Sequence, residues 1–434
     1  MKSLSVLILA AGKGSRMQSK LPKVLHEVGN APLIYYPIKL AKNVGANKIV
    51  CVVGKKSDNI IEKIRSFSDY TEIVEQPKQL GTGHAVLCAE ESFSKSNETI
   101  LILYGDCPLI SEKSIKELLK LKNNGVDLAV LGFESQNPKG YGRMIIDSAG
   151  SLKKIVEAKD ATQEESKVTF CNSGIMIAER QTIYALLKNI SNENSAGEFY
   201  LTDLVKMANE KNLVVRATRC PENEAQGINN RLDLAKAEEH FQTSKRLEAL
   251  EKGVTLVAPN TVFFSFDTDL GIDTVVEPNV IFGPEVSLKD NVKVKSFSYL
   301  EGCLVKSKVT IGPFARIRPE TILHEGVKVG NFVEIKKSKL YKNAKASHLS
   351  YIGDASIGEE TNVGAGTIFC NYDGVSKYRI EVGKNSFIGS NTSLVAPLKI
   401  GDRAVIAAGS TITDEVEKDT LALGRARQIN KYKK

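Results

Sequence analysis

A glycine- and cation-rich loop, Gly12-Lys13-Gly14-Ser15-Arg16, follows the apolar run Val6 to Ala11, and Lys23 stands just beyond it in Leu21-Pro22-Lys23. Glycines let a backbone turn sharply and come close to a ligand. Exposed N–H groups in such a turn bind anions, phosphates above all. Arg16 and Lys23 add two cations. The residues alone fit either a phosphate-holding loop or an ordinary strand-to-helix turn. The stretch lacks GxxxxGK[ST], and Met17 stands where a dinucleotide fingerprint needs its third glycine.

Further along, Gln76 to Gly83 (QPKQLGTG) offers two amides that could bond a base edge, a glycine at Gly81 and a hydroxyl at Thr82. An exposed polar loop is the plain alternative. The apolar run Thr99–Tyr104 ends in Gly105-Asp106-Cys107-Pro108-Leu109. A carboxylate there suits a hard cation such as Mg²⁺, or merely caps a turn. Gly140 to Arg143, Ile155 to Asp160 and Cys171 to Gly174 place polar groups where a sugar could be gripped, and Glu157 and Asn172 can bond hydroxyls or an N-acetyl group. In the second half, His348 lies close to Tyr351. A histidine titrates near neutral pH and could serve as a general base, or be simply structural.

Two kinds of element must position these residues. From Val6 to about Ile228, short apolar runs alternate with helical patterns. Strands are expected at Val6–Ala11, Lys48–Val53, Glu72–Val74 and Thr99–Tyr104. Helices are expected around Pro32–Val44, Asn59–Ser66 and His84–Glu91. Such alternation implies a parallel sheet covered by helices, with ligands beyond the carboxyl ends of its strands. The segment Arg231 to Gly253 reads as a connecting helix with a sparse face of Leu234, Ala237, Phe241, Leu247 and Leu250, ended by Gly253. After it, aliphatic residues recur every six positions: Val280, Val286 and Val292; Ile311 through Ile335; Val382 through Ile412. That period belongs to a parallel β-helix whose stacked coils share a column of inward side chains. An insertion, Cys370 to Lys377, interrupts it.

The chain's 434 residues, 42% hydrophobic and 25% charged, favour two or more globular domains. The net charge of +8 comes without a long basic block, and Trp is absent, so a nucleic-acid surface is not expected. No apolar stretch approaches a membrane span. The start, MKSLSVLILAAG, runs directly into the glycine loop without a clear cleavage site and reads as a first strand. Seven scattered cysteines without a CxxC pair suit a reducing cytoplasm.

L-A-A-G-x-G-x-R-M followed by L-P-K resembles the signature of sugar-phosphate nucleotidyltransferases, in which the loop lies over a nucleoside triphosphate and Lys23 faces its phosphates. Glu75 to Ala85 is similar to the uridine-contacting segment E-Q-x-x-x-L-G-T-x-H-A. G-D-x-P-L resembles the metal motif. Gln226 to Arg231 matches the V-N-x-R segment, with Ile228 for the usual valine. Glu198 to Asp203 (EFYLTD) fits the N-acetylglucosamine-1-phosphate branch. N-F-V-E-x-K-K, H-L-x-Y-x-G-D and C-N-Y-D-G resemble motifs of its fused acetyltransferase half.

The chain thus resembles the family of bifunctional N-acetylglucosamine-1-phosphate uridylyltransferases and glucosamine-1-phosphate acetyltransferases. The resemblance implies an α/β protein: a Rossmann-like nucleotidyltransferase domain at 1–229, a linker helix at 230–253, and an all-β left-handed parallel β-helix at 254–434. It implies UTP or UDP-sugar contacts from Leu9, Ala10, Ala11, Gly12, Gly14, Lys23, Gln76, Gly81, Thr82, Gly142, Glu157, Asn172 and Asn229, with Mg²⁺ on Asp106 and Asn229, and Arg16 and Lys23 as catalytic cations. In the coil it implies His348 as base, oriented by Glu334. Glucosamine 1-phosphate would meet Arg318, Lys336, Tyr351, Asn362 and Lys377. Acetyl-CoA would meet Asn371, Tyr372, Ser390, Ala408 and Arg425. N-acetylglucosamine 1-phosphate is then the intermediate, and a homotrimer the expected assembly. A single-activity nucleotidyltransferase with a structural coil is the other reading.

Overall fold

The computed structural model describes residues 3–93, 98–138 and 140–432. The chain divides into two compact units, 1–241 and 242–434.

In the first unit, β1 (Ser3–Ala10) leads past the glycine loop to α1 (Tyr35–Asn43). There follow β2 (Lys48–Gly54), α2 (Asp58–Phe67), β3 (Glu72–Gln76), α3 (Thr82–Cys88), β4 (Glu98–Tyr104) and α4 (Glu112–Asn123). These elements match the expected runs to within a few residues, except that α3 ends early and a short 3₁₀ turn at Glu90–Ser92 follows it. Then come β5 (Leu128–Glu134), β6 (Arg143–Ile146), β7 (Leu152–Val156), β8 (Phe170–Glu179), α5 (Arg180–Leu187), α6 (Asp203–Glu210) and β9 (Val215–Arg219).

Among the described residues these strands form one sheet in the order β9-β5-β8-β4-β1-β2-β3, with β6 and β7 attached beside β8. The sheet is not wholly parallel as expected: β8 runs antiparallel to both β4 and β5. Only a 3₁₀ turn, Glu165–Lys167, lies between β7 and β8, and a parallel return needs a covering crossover. Successive residues of β1 feed opposite faces. Val6 and Ile8 pack with Ile38, Ile64 and Leu118, whereas Leu7 and Leu9 pack with Val86, Ile183 and Leu204. Helices on both faces explain why β1 is a continuous apolar run rather than an alternating one.

The helix α7 (Arg231–Glu251) follows, and Gly253 takes a left-handed φ of 92° beyond its end. Its expected apolar face is only partly used: Ala237 and Phe241 are buried, while Leu247 and Leu250 are exposed. In the second unit, Gln242 exchanges hydrogen bonds of 2.7 and 2.8 Å with the Phe264 backbone.

From Thr255 the chain coils through three faces, of ten, eight and eight parallel strands among the described residues. The inward column expected from the repeat is three columns, one per face. Val294, Ile311 and Val329 stack on the first, Leu300, Ile317 and Ile335 on another, and Val305 and Leu323 on the third. All are buried. The first run of the repeat, Val280-Val286-Val292, falls two residues before Phe282, Leu288 and Val294, marking a second buried position at each turn of the coil. Corners take left-handed residues at the same interval, as at Glu285, Asn291 and Phe297. Ile311 is wholly buried between Val294 and Val329. Ile311→Ala should therefore cost about 2–5 kcal/mol of stability, read as a lower denaturation midpoint.

The insertion shows in the register. Asn362 pairs with Phe387, 25 residues on, whereas Lys345 pairs with Asn362 and Phe387 with Val405 at steps of 17 and 18. The additional residues form the loop around Asn371 to Lys377.

Candidate active sites

Leu9 of β1 and Tyr104 of β4 are in register, so the loops after these strands leave the sheet side by side. The strand order reverses here, since β1 is followed spatially by β2 on one side and β4 on the other. Ligands of open α/β sheets bind at such a point. A cleft of about 440 Å³ opens there, lined by Leu9, Ala10, Ala11, Gly12, Lys13, Lys23, Gln76, Gln79, Gly81, Thr82, Tyr104, Asp106 and Glu198.

The two loop glycines differ. Gly14 has φ 62°, and a Cβ there would stand 2.6 Å from the Lys23 Cβ, so the fold itself requires glycine. A Cβ on Gly12 would meet nothing within 4 Å. That open space beside the cleft leaves room for a ligand to approach the backbone. Gln79 donates to the carbonyl of Ala11, tying the β3 loop to the glycine loop. Gly81, with φ 112°, lies against the backbone of Phe199, 2.6 Å from its oxygen were a Cβ present. Thr82 Oγ accepts from the N–H of Leu201 at 3.0 Å.

Four residues, from three separate stretches of the sequence, converge where Lys23 and Asp106 line the cleft. Lys23 Nζ forms an ion pair with Asp106 and donates to Asn229 Oδ1 at 3.2 Å. Arg16 donates to the same Oδ1 at 2.9 Å. The Ile228 N–H, bonded to the Asp106 carbonyl at 3.0 Å, draws the Asn229 segment to the Gly105-Asp106 turn. A carboxylate and a carboxamide oxygen thus already converge on one cation, and such hard oxygens fit Mg²⁺ completed by phosphate and water. Among the described residues no group of three or more His, Cys, Asp or Glu is placed to hold a metal.

Gly142, Glu157 and Asn172 gather on β6, β7 and β8. The Asn172 N–H donates to the Gly142 carbonyl at 2.9 Å, and a Cβ on Gly142 would lie 3.6 Å from both Asn172 and Glu157. Thr202 donates to Glu157 at 2.9 Å. Burial pushes the Glu157 carboxyl above its ordinary value. Asn172 Oδ1 accepts from the N–H of Gly174, whose left-handed backbone lets the Tyr104 ring pack against it. Tyr104, Gln79 and Glu198 line the cleft but are absent from the expected contacts. Gln79 and Glu198 sit inside the quoted motifs. Tyr104 ends an apolar strand and carries no signal beyond that.

On the coil, Arg318, Lys336, Glu334 and Tyr351 come from consecutive turns of one face. Glu334 pairs in register with Tyr351, and Lys336 with Gly353. Arg318 donates to Glu334 at 2.8 Å. Lys336 meets Lys377 from the inserted loop. The close approach and charge of Lys377 lower the Lys336 pKa below the usual lysine value, with burial and Arg318 adding to the effect. Three cations crowded together suit an anionic ligand. Asn371 is buried, donates to Asp354 at 2.5 Å, and sits over Gly353 beside the Tyr351 hydroxyl.

His348 stands at the neighbouring corner, on the same coil as Tyr351. Its Nδ1 lies 2.6 Å from Asn331 Oδ1. Asn331 is the register partner of His348 one coil earlier, while Glu334, the orienting residue expected, is engaged by Arg318. The register carries the His348 column on to Ser390 and Ala408. The Ser390 carbonyl accepts from the N–H of Gly409 at 2.8 Å. Tyr372 is exposed in the inserted loop, its hydroxyl donating to the Gly374 carbonyl at 2.5 Å. Asn362 lies on the first face between Lys345 and Phe387, and Arg425 is exposed past the last strand. Among the described contacts neither joins the Arg318–Lys336–Asn371 cluster.

A nucleotide-sized cleft with a phosphate loop, followed by a hexapeptide coil, defines a nucleotidyltransferase joined to a transferase-type left-handed β-helix. Residues 6–168 match the MobA-like NTP transferase domain, and residues 379–414 match the bacterial transferase hexapeptide of six repeats. The chain is 47% identical over 429 residues to the Bifunctional protein GlmU of Ruegeria sp. (strain TM1040), covering 99% of this chain and 95% of that one. It is 44% identical over 431 residues to the protein of the same name from Bartonella quintana (strain Toulouse), with 99% and 96% covered. For that of Jannaschia sp. (strain CCS1) it is 43% over 430 residues, with 99% and 94% covered. The chain belongs to the bifunctional GlmU family.

Proposed function

We propose that the chain makes UDP-N-acetylglucosamine in two steps at two sites. The coil acetylates glucosamine 1-phosphate with acetyl-CoA, and the first unit then transfers UMP from UTP to the N-acetylglucosamine 1-phosphate. The observation that carries the first activity is the convergence of Arg16 and Asn229 on Lys23 and Asp106, which line the cleft.

In uridylyl transfer, a phosphate oxygen of the sugar phosphate attacks the α-phosphorus of UTP and pyrophosphate leaves. Alignment and charge neutralisation supply most of the catalysis. Lys23 and Arg16 stabilise the triphosphate and its leaving group. Asp106 and Asn229 would hold Mg²⁺, which when bound would supply further neutralisation of phosphate charge. Gln76, Gly81 and Thr82 face the nucleoside, and Gly142, Glu157 and Asn172 the sugar.

In acetyl transfer, the 2-ammonium group must lose a proton before its nitrogen can attack the thioester. His348 accepts that proton through Nε2, because Nδ1 is turned to Asn331. The amide forms as the carbon–sulfur bond breaks, and CoA departs as the thiol. Arg318, Lys336 and Lys377 bind the sugar phosphate. Asn371 and Tyr372 attend the acetyl group, and Ser390, Ala408 and Arg425 the CoA. Asn362 and Arg425 stand apart from the cluster in one chain, which supports a site completed by a second subunit of a homotrimer.

Seven free thiols fit the reducing cytoplasm. Among the described residues no helix is long and apolar enough to cross a membrane. The product is of the kind consumed in building cell-envelope polymers. The test supplies purified protein with glucosamine 1-phosphate, acetyl-CoA, UTP and Mg²⁺ and follows CoA and pyrophosphate separately. Release of both is expected. Pyrophosphate only when N-acetylglucosamine 1-phosphate is added, with no CoA, would reduce the coil to a scaffold.

A further inference from the structure

The Gln76 side chain, at the end of β3, is 3% exposed yet lines the nucleotide cleft. Its Nε2 lies 3.1 Å from the carbonyl oxygen of Gly81 and 3.0 Å from Nδ1 of His84 on α3. A carbonyl oxygen only accepts, so the amide nitrogen, not its oxygen, must face Gly81. One N–H is spent there. The other is directed to His84, whose Nδ1 then accepts and whose ring proton resides on Nε2. Both amide hydrogens are consumed inside the protein. What Gln76 has left for a ligand is Oε1, an acceptor.

The Gly81 side of this arrangement is fixed independently of His84. Gly83 donates to the Phe199 carbonyl at 2.8 Å, and Phe199 donates to that of Leu80 at 2.8 Å. The backbone of Phe199 also leaves no room for a side chain at Gly81. His84 is therefore the adjustable half of the clamp.

We propose that His84 is a specificity-determining positioning residue for the nucleotide base. By engaging the second N–H of Gln76 it presents the amide as an acceptor. The cleft then selects a base with an imide N–H, such as uracil, over cytosine. Uracil N3 carries a hydrogen that Oε1 can receive. Cytosine N3 carries a lone pair, which would face another lone pair. A polar site matched to one base rejects an analogue that leaves its groups unpaired. Without His84, Gln76 is held by one bond, and a freed N–H can serve cytosine. This inference rests on the uridylyl-transfer reading.

The test measures pyrophosphate release from UTP and from CTP, with N-acetylglucosamine 1-phosphate and Mg²⁺, for the unaltered chain, His84→Ala and His84→Asn. Loss of one buried hydrogen bond predicts that His84→Ala lowers the UTP-to-CTP ratio of kcat/KM about tenfold, chiefly by raising KM for UTP. His84→Asn should keep the ratio, since its Oδ1 can accept where Nδ1 did. An unchanged ratio in His84→Ala, or equal losses for both nucleotides in both variants, overturns the role of His84 while leaving uridylyl transfer standing. An unaltered chain that releases pyrophosphate from neither nucleotide overturns the uridylyl-transfer reading and this inference with it.

Discussion

Asp106→Ala is expected to lower uridylyl transfer by about 10³-fold or more, the scale of losing a charge-stabilising group in a dry site, while CoA release from the coil continues at its normal rate. The substitution removes the carboxylate that Lys23 faces, and both side chains are largely shielded from solvent. Truncation therefore also strands an ammonium. Asp106→Asn keeps the shape and removes only the charge, so a similar loss in both variants assigns the effect to the missing carboxylate. The assay is pyrophosphate release with N-acetylglucosamine 1-phosphate supplied. Near-normal turnover in either variant would remove Asp106 from the site.

His348→Ala is expected to reduce acetyl transfer by about 10²–10⁴-fold, the usual contribution of a general base, with uridylyl transfer unaffected. The residual rate should rise with pH, because without the histidine the reaction depends on amine already deprotonated in solution. His348 is exposed and held through Asn331, so its truncation leaves the aliphatic columns intact. Asn331→Ala should produce a smaller loss, since it frees the ring to rotate without removing the base. Full acetyl transfer by His348→Ala, read as free thiol, would dismiss the assignment.

How far the sequence could lead differs between the two halves. The coil was legible in its period, because each turn must place an aliphatic side chain inward and a six-residue spacing has no helical equivalent. What the period did not reveal was that the column divides among three faces, since one coil takes about three repeats. The glycine loop, Asp106 and Asn229 were legible as motifs, but their meeting depends on the 3-2-1-4 strand order and on the Ile228 bond to Asp106. The antiparallel β8 was not legible, because its short apolar run, Ile175 to Ala178, says nothing of the strand's direction. Glu334 was expected to orient His348 because of its motif. The ring's hydrogen-bond partner is Asn331, which lies 17 residues before His348 and could have been found by counting one coil back. Tyr104 was hidden for another reason: its role follows from Gly174 packing on its ring, a long-range contact that local patterns do not carry.

The central claim is that one chain houses two separable activities. The most direct measurement supplies glucosamine 1-phosphate, acetyl-CoA, UTP and Mg²⁺ to Asp106→Ala, to His348→Ala, and to an equal mixture of the two, and quantifies UDP-N-acetylglucosamine by mass. Each variant alone should form almost none: the first should stop at N-acetylglucosamine 1-phosphate and the second at glucosamine 1-phosphate. The mixture should restore the product, each variant supplying the step the other lacks. Abundant UDP-N-acetylglucosamine from either variant alone, or a mixture as inactive as its parts, would contradict two independent sites.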